Sequence, residues 1–113
     1  GNREMYYKRD PTGNPLGIIN ISTEIPNGFS LSQNYPNPFN PETIIRFQIN
    51  KLSNVKLVVY DIQGRQIMEL INLNMKAGTY EVDWNASGSP SGVYYYKLSA
   101  GDYSETKKMV LVK

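Results

Sequence analysis

From residue 43 onward, apolar and polar positions alternate along the chain. Thr43, Ile45, Phe47 and Ile49 fall on one side of a two-residue period, with Ile44, Arg46 and Gln48 on the other; this is the signature of a half-buried strand. Val55, Leu57 and Val59 then point inward against Lys56, Val58 and Tyr60. Asp61-Ile62-Gln63-Gly64 follows as a turn in which the glycine can take a positive φ. Gln66 to Ile71 reads as a shorter, weaker strand. Tyr80, Val82 and Trp84 alternate with Thr79, Glu81 and Asp83, until Ser87-Gly88-Ser89-Pro90-Ser91-Gly92 breaks the pattern. Tyr94, Tyr96 and Leu98 oppose Val93, Tyr95 and Lys97, and after Ala100-Gly101-Asp102 a last run extends from Tyr103 to Val112.

Strong β runs recurring about every ten residues, divided by Gly, Pro, Asn and Ser, predict an all-β fold. The expected form is an immunoglobulin-like antiparallel β-sandwich of about six to seven strands, with Phe29 to Leu31 adding the first and Trp84 at the core. No segment keeps a 3.6-residue apolar period, and no repeat of a solenoid or propeller is present. Six of the seven prolines fall between Pro11 and Pro41, which makes helix improbable there. Residues 1–28 read as a linker or the end of a preceding domain, and 29–113 as the sandwich. Met5, Tyr6, Tyr7 and Ile18 to Ile21 remain open as strand.

A chain of 113 residues has room for one core. Forty per cent hydrophobic residues and a net charge of +2 exclude disorder along the whole length. Zero Cys and zero His remove thiolate and imidazole chemistry, disulfides and the usual zinc sites. The apolar runs are far shorter than the roughly 18 residues that span a bilayer, so the chain is not expected to cross one.

Candidate chemistry is sparse. Glu81 and Asp83 share a strand face, but a solvated surface explains them better than an acid–base pair in a cleft. Asp61 and Gly64 start like a calcium loop, yet Gln63, Arg65 and Gln66 supply no further acid. Gly88 and Gly92 lack the helix a phosphate loop needs. Asn20-Ile21-Ser22 and Asn85-Ala86-Ser87 match the glycosylation pattern, a match short enough to arise by chance. Tyr94, Tyr95, Tyr96 and Lys97 give a faint version of a nucleic-acid face, with too little charge behind it. The expectation is therefore no enzyme, no cofactor, no metal and no nucleic acid.

Leu31-Ser32-Gln33-Asn34-Tyr35-Pro36-Asn37-Pro38-Phe39-Asn40-Pro41 resembles the opening of the C-terminal sorting domain carried by cargo of the type IX secretion system of Bacteroidetes and related bacteria. The likeness continues through Val59-Tyr60-Asp61 with Gly64-Arg65, Ala77-Gly78-Thr79-Tyr80 with Trp84, Ser91 to Leu98, and Glu105 to Lys113. It implies a signal directing a larger cargo through the outer-membrane translocon by way of the periplasm, to be secreted or held at the cell surface. Implied partners are the translocon, its shuttle proteins and a sortase-like peptidase, which would cut between Gly17 and Asn27. Carried over by position, the recognition residues are Pro36, Asn37, Pro38 and Phe39; Gly92, Val93 and Tyr94; and Lys107 with Lys108. The alternatives are an immunoglobulin-like carbohydrate- or protein-binding module, using Tyr95 and Tyr103, or a structural spacer.

Physics supports part of the resemblance independently. Prolines at 36, 38 and 41 lack N–H donors, so this segment cannot enter a central ladder; it should form a stiff loop that Phe39 pins to the core. The final strand is expected to offer a lysine-bearing edge, which either guards against aggregation or docks a receptor.

Overall fold

The computed structural model describes residues 18–113. Within them the chain forms eight strands and no helix: β1 Ile19–Ser22, β2 Ser30–Leu31, β3 Glu42–Ile49, β4 Ser53–Tyr60, β5 Gln66–Met75, β6 Gly78–Asn85, β7 Gly92–Ala100 and β8 Tyr103–Leu111. They make two four-stranded sheets, ordered β1-β6-β3-β2 and β5-β4-β7-β8, with every neighbouring pair antiparallel. The chain changes sheet after β3, β5 and β6, whereas β4–β5 and β7–β8 are hairpins, so the connectivity is that of a Greek-key sandwich. The all-β sandwich expected from the alternation is the observed fold.

The strand count exceeds the expected six to seven. The extra element is β1, within the stretch read as linker, which pairs with β6. Gly1 to Gly17, including Met5, Tyr6 and Tyr7, lies outside the described residues.

The inward faces are those the period-two pattern marks. Ile45, Phe47 and Ile49 from one sheet meet Val55, Leu57, Val59, Tyr96 and Leu98 from the other, all with no exposed surface. Each such side chain contributes roughly 1.5–3 kcal/mol by leaving water. Trp84 packs between Phe39 and Tyr94, with ring centroids 5.8 Å from each.

β5 departs from expectation: it runs ten residues and is the longest strand. Its register against β4 shifts between Leu57 and Val58 and again between Val59 and Tyr60. Each extra residue resets the alternation, so the consecutive Leu70 and Ile71 are both buried. A strand carrying such bulges has no steady period to read. The β4–β5 turn forms as expected. Gly64 takes φ 84°, the Asp61 Oδ1 accepts from the Gln63 and Arg65 amides at 2.9 and 3.0 Å, and Arg65 Nε donates to Oδ2 at 2.8 Å. Both carboxylate oxygens thus serve the turn itself, and the Arg65 amide foremost holds the Asp61 carboxyl below its ordinary range.

Candidate recognition surface

The Pro-rich loop is fastened to the sandwich from inside. The Tyr96 hydroxyl, at the centre of β7, donates to the Ser32 carbonyl and accepts from the Asn34 amide, both at 2.7 Å. Asn34, itself buried, donates through Nδ2 to the Thr43 Oγ1 at 2.9 Å and to the Pro36 carbonyl at 3.1 Å, and Thr43 donates to that same carbonyl at 3.0 Å. A buried amide is tolerated because these partners replace water. Burial pushes the Tyr96 phenol up to about 12. Phe39 closes the loop, 1% exposed against Trp84.

That fastening lays the loop along the last strand. The Phe39 amide donates to the Val110 carbonyl, and the Val112 amide to the Phe39 carbonyl, each at 2.9 Å. The Val110 amide donates to Asn37 Oδ1 at 3.0 Å, and Gln33 Nε2 donates to the Lys108 carbonyl at 2.7 Å. On the other side of β8, Gly92, Val93 and Tyr94 pair with Leu111, Val110 and Met109. The Lys113 amide donates to Ser91 Oγ and its Nζ to the Ser87 carbonyl. Pro36 to Phe39 and Gly92 to Tyr94, far apart in the chain, therefore flank one strand end.

The edge of β8 is consequently less open than the sequence suggested. Its second half is covered by residues 33–39, because the loop supplies the donors and acceptors a neighbouring strand would. Its first half keeps its outward groups at Ser104 and Thr106 without partners among the described residues. Beside it, Phe29 stacks on Tyr103 with centroids 5.3 Å apart, the Tyr103 hydroxyl donates to Glu105, and the Leu31 amide also reaches that carboxylate. The Tyr103 bond foremost holds Glu105 below its ordinary range, while burial foremost raises Tyr103 to about 12.

Among the residues the resemblance singles out, Pro36, Asn37 and Pro38 are exposed at the loop tip, beside Tyr35 at 78%. Phe39 and Tyr94 are core, and the Tyr94 hydroxyl is engaged with the Pro90 carbonyl at 2.6 Å. Their side chains build the surface from beneath. Gly92 and Val93 are half-buried. Lys107 and Lys108 do not act as a pair, since strand alternation sends them to opposite faces. Lys107 shares a face with Met109 and bonds Glu105 at 3.3 Å, whereas Lys108 lies outside, opposite Tyr95. The sequence reading missed Asn34 and Tyr96 as the loop's supports. No local pattern marks a contact between residues 62 apart.

Elsewhere, Glu81 binds Arg46 at 2.5 Å on the outer face of the first sheet. Burial foremost, with nearby Glu42, raises Asp83. No group of three or more potential metal ligands occurs, and no helix is long and apolar enough to cross a membrane, among the described residues.

A family model described as secretion system C-terminal sorting domain matches residues 33–113, from the first polar residues of the loop to the last lysine. No curated protein matches.

Proposed function

The chain belongs to the family of secretion system C-terminal sorting domains, and from that premise we propose that the loop-and-strand end of the sandwich is the surface the secretion machinery reads. The domain is a type IX sorting signal, and such a signal directs its protein through the periplasm to the cell surface or the extracellular space. The family is not an enzyme family, and its members interact with the type IX machinery.

The observation that carries the proposal is the convergence of Pro36–Pro38, Gly92–Val93 and the end of β8 on one rigid surface. A loop held by Tyr96, Asn34 and Phe39 loses little ordering entropy on binding. Pro36, Asn37 and Pro38 make the direct contacts, joined by Lys108 on the outer face; Phe39 and Tyr94 hold the surface in shape. The translocon and its shuttle proteins are the partners. Residues 29–113 act as the sorting domain, and 1–28 as the tether or the end of a preceding domain, with β1 a piece of that stretch folded onto β6. A sortase-like peptidase cuts the tether; Thr23, Glu24, Ile25 and Asn27 are exposed, Ile25 at 73%.

The test is a periplasm-targeted fluorescent reporter fused ahead of the chain in a bacterium with a type IX system. Tyr35→Ala, Pro38→Ala and Lys108→Ala alter exposed groups and are expected to hold the reporter in the periplasm while the domain keeps its urea midpoint. Wild-type delivery by all three variants would defeat the proposal. Deleting Lys107 to Lys113 is a poor test, because it removes Met109 and Leu111 from the core.

A further inference from the structure

β1 occupies the outer edge of β6 in an unusual way. Ile19 lies opposite Glu81, Asn20 opposite Tyr80 and Ser22 opposite Thr79, with an irregularity between Asn20 and Ser22. The Asn20 Nδ2 donates to the Ser22 carbonyl at 3.2 Å and to the Thr79 carbonyl at 3.4 Å, clamping the irregular step. The fit depends on a missing side chain: a Cβ on Gly78 would come within 2.8 Å of the Ser22 carbonyl oxygen and 3.1 Å of Asn20 Nδ2. Ile19 lines a shallow depression together with Ile44, Glu81, Val82 and Asp83.

We propose that the outer edge of β6 is a strand-binding groove filled by this chain's own Ile19–Ser22, and that cutting residues 23–27 empties it. All four residues of β1 are half-buried and none is core. So short a strand has no stability alone, and a few ladder bonds with partial burial make a weak ligand. It stays in place because residues 23–29 connect it to β2, and a short connection supplies an effective concentration in the millimolar range. Hydrolysis of one peptide bond by water in the exposed stretch, leaving a carboxylate upstream and an ammonium downstream, removes that advantage. β1 then leaves with the upstream piece, exposing the edge of β6 at Thr79 and Glu81, beside Ile44, whose side chain is already exposed. The consequence for cargo rests on the sorting reading: one cut both severs and unlatches it, so no residual strand pairing holds cargo to the spent signal.

A glutamate-specific endoprotease tests the proposal on the full chain. Of the six glutamates, Glu24 lies in the exposed stretch and Glu42, Glu69, Glu81 and Glu105 lie in paired strands, while a cut after Glu4 would only shorten the upstream piece ahead of β1. At about 10 µM, roughly a hundredfold below the millimolar effective concentration, the piece ending at Glu24 is expected to separate from residues 25–113 on native gel filtration. The larger piece keeps its native Trp84 fluorescence. Co-elution of the two pieces, or resistance of the Glu24 bond in the folded chain, would overturn the proposal. In the uncut chain, Gly78→Val is expected to abolish hydrogen-exchange protection of the Ile19 and Ser22 amides, which face Glu81 and Thr79, while β3 and β4 stay protected; unchanged protection there also counts against it. None of these readouts involves transport, so a failure of the sorting reading leaves them interpretable.

Discussion

Replacing Tyr96 by Phe keeps a fully buried ring in place and deletes one oxygen that makes two hydrogen bonds of 2.7 Å. The two partners are unequal. Ser32 is exposed, so its carbonyl can turn to water, whereas Asn34 is 2% exposed and its amide is left with no acceptor. An orphaned buried donor costs about 1–3 kcal/mol, so a loss near 2 kcal/mol is expected. With a urea slope of about 1–1.5 kcal/mol/M for a chain of this size, the midpoint should fall by roughly 1.5–2 M. Urea titration followed by Trp84 fluorescence measures it, and an unchanged slope would show that stability alone moved. The damage should also be local: the amides of Asn34 and Phe39 are expected to lose hydrogen-exchange protection before those of β4. A midpoint within about 0.3 M of the parent, or a loop as protected as before, would refute the idea that this hydroxyl fastens the loop.

Phe39→Ala opens a cavity against Trp84 and should cost roughly 3–5 kcal/mol, read as a lower thermal midpoint and altered Trp84 emission. On the alkaline side, Tyr96 and Tyr103 keep their protons to about pH 12 when folded and release them near 10 when unfolded. Their contribution is therefore whole below pH 10 and lost between 10 and 12, with Tyr96 accounting for roughly 2–3 kcal/mol; urea midpoints across that range should flatten in Tyr96→Phe. On the acid side, Glu105 and Asp61 are held below their ordinary values, so their support is present above about pH 4 to 5 and fades as pH falls further. Tyr103→Phe should lessen the Glu105 part in acid titrations. Asp83 is shifted upward, so its charge opposes folding at neutral pH, and Asp83→Asn should leave stability equal or raise it by up to about 0.5 kcal/mol in the same urea assay.

Legibility followed the range of the interactions. β3, β4, β6 and β7 stood out because each buries one face, and burial imprints a period of two on consecutive residues. β5 was underestimated because its bulges at Leu70 and near Met68 reset that period. Phe39 was legible as an anchor, being the one large apolar side chain in a proline-bound loop. Asn34 was not, since a polar residue in a loop normally faces water, and it is buried here by a phenol from another sheet.

The sequence alone determined the two-layered architecture, the turns at Gly64 and Gly101, and the family to which the chain belongs, because these depend on neighbours along the backbone and on motif order. Tertiary structure decided what the motifs do together. It set the Pro-rich loop against β8, turned Lys107 and Lys108 to opposite faces, and folded Ile19–Ser22 onto β6. Each of those outcomes depends on groups that meet only when the sheets close, the Tyr96 hydroxyl with Asn34, the Phe39 backbone with Val110, and Gly78 with the Ser22 carbonyl. Local pattern carries no information about such meetings, since their energies belong to pairs of residues brought together by the fold.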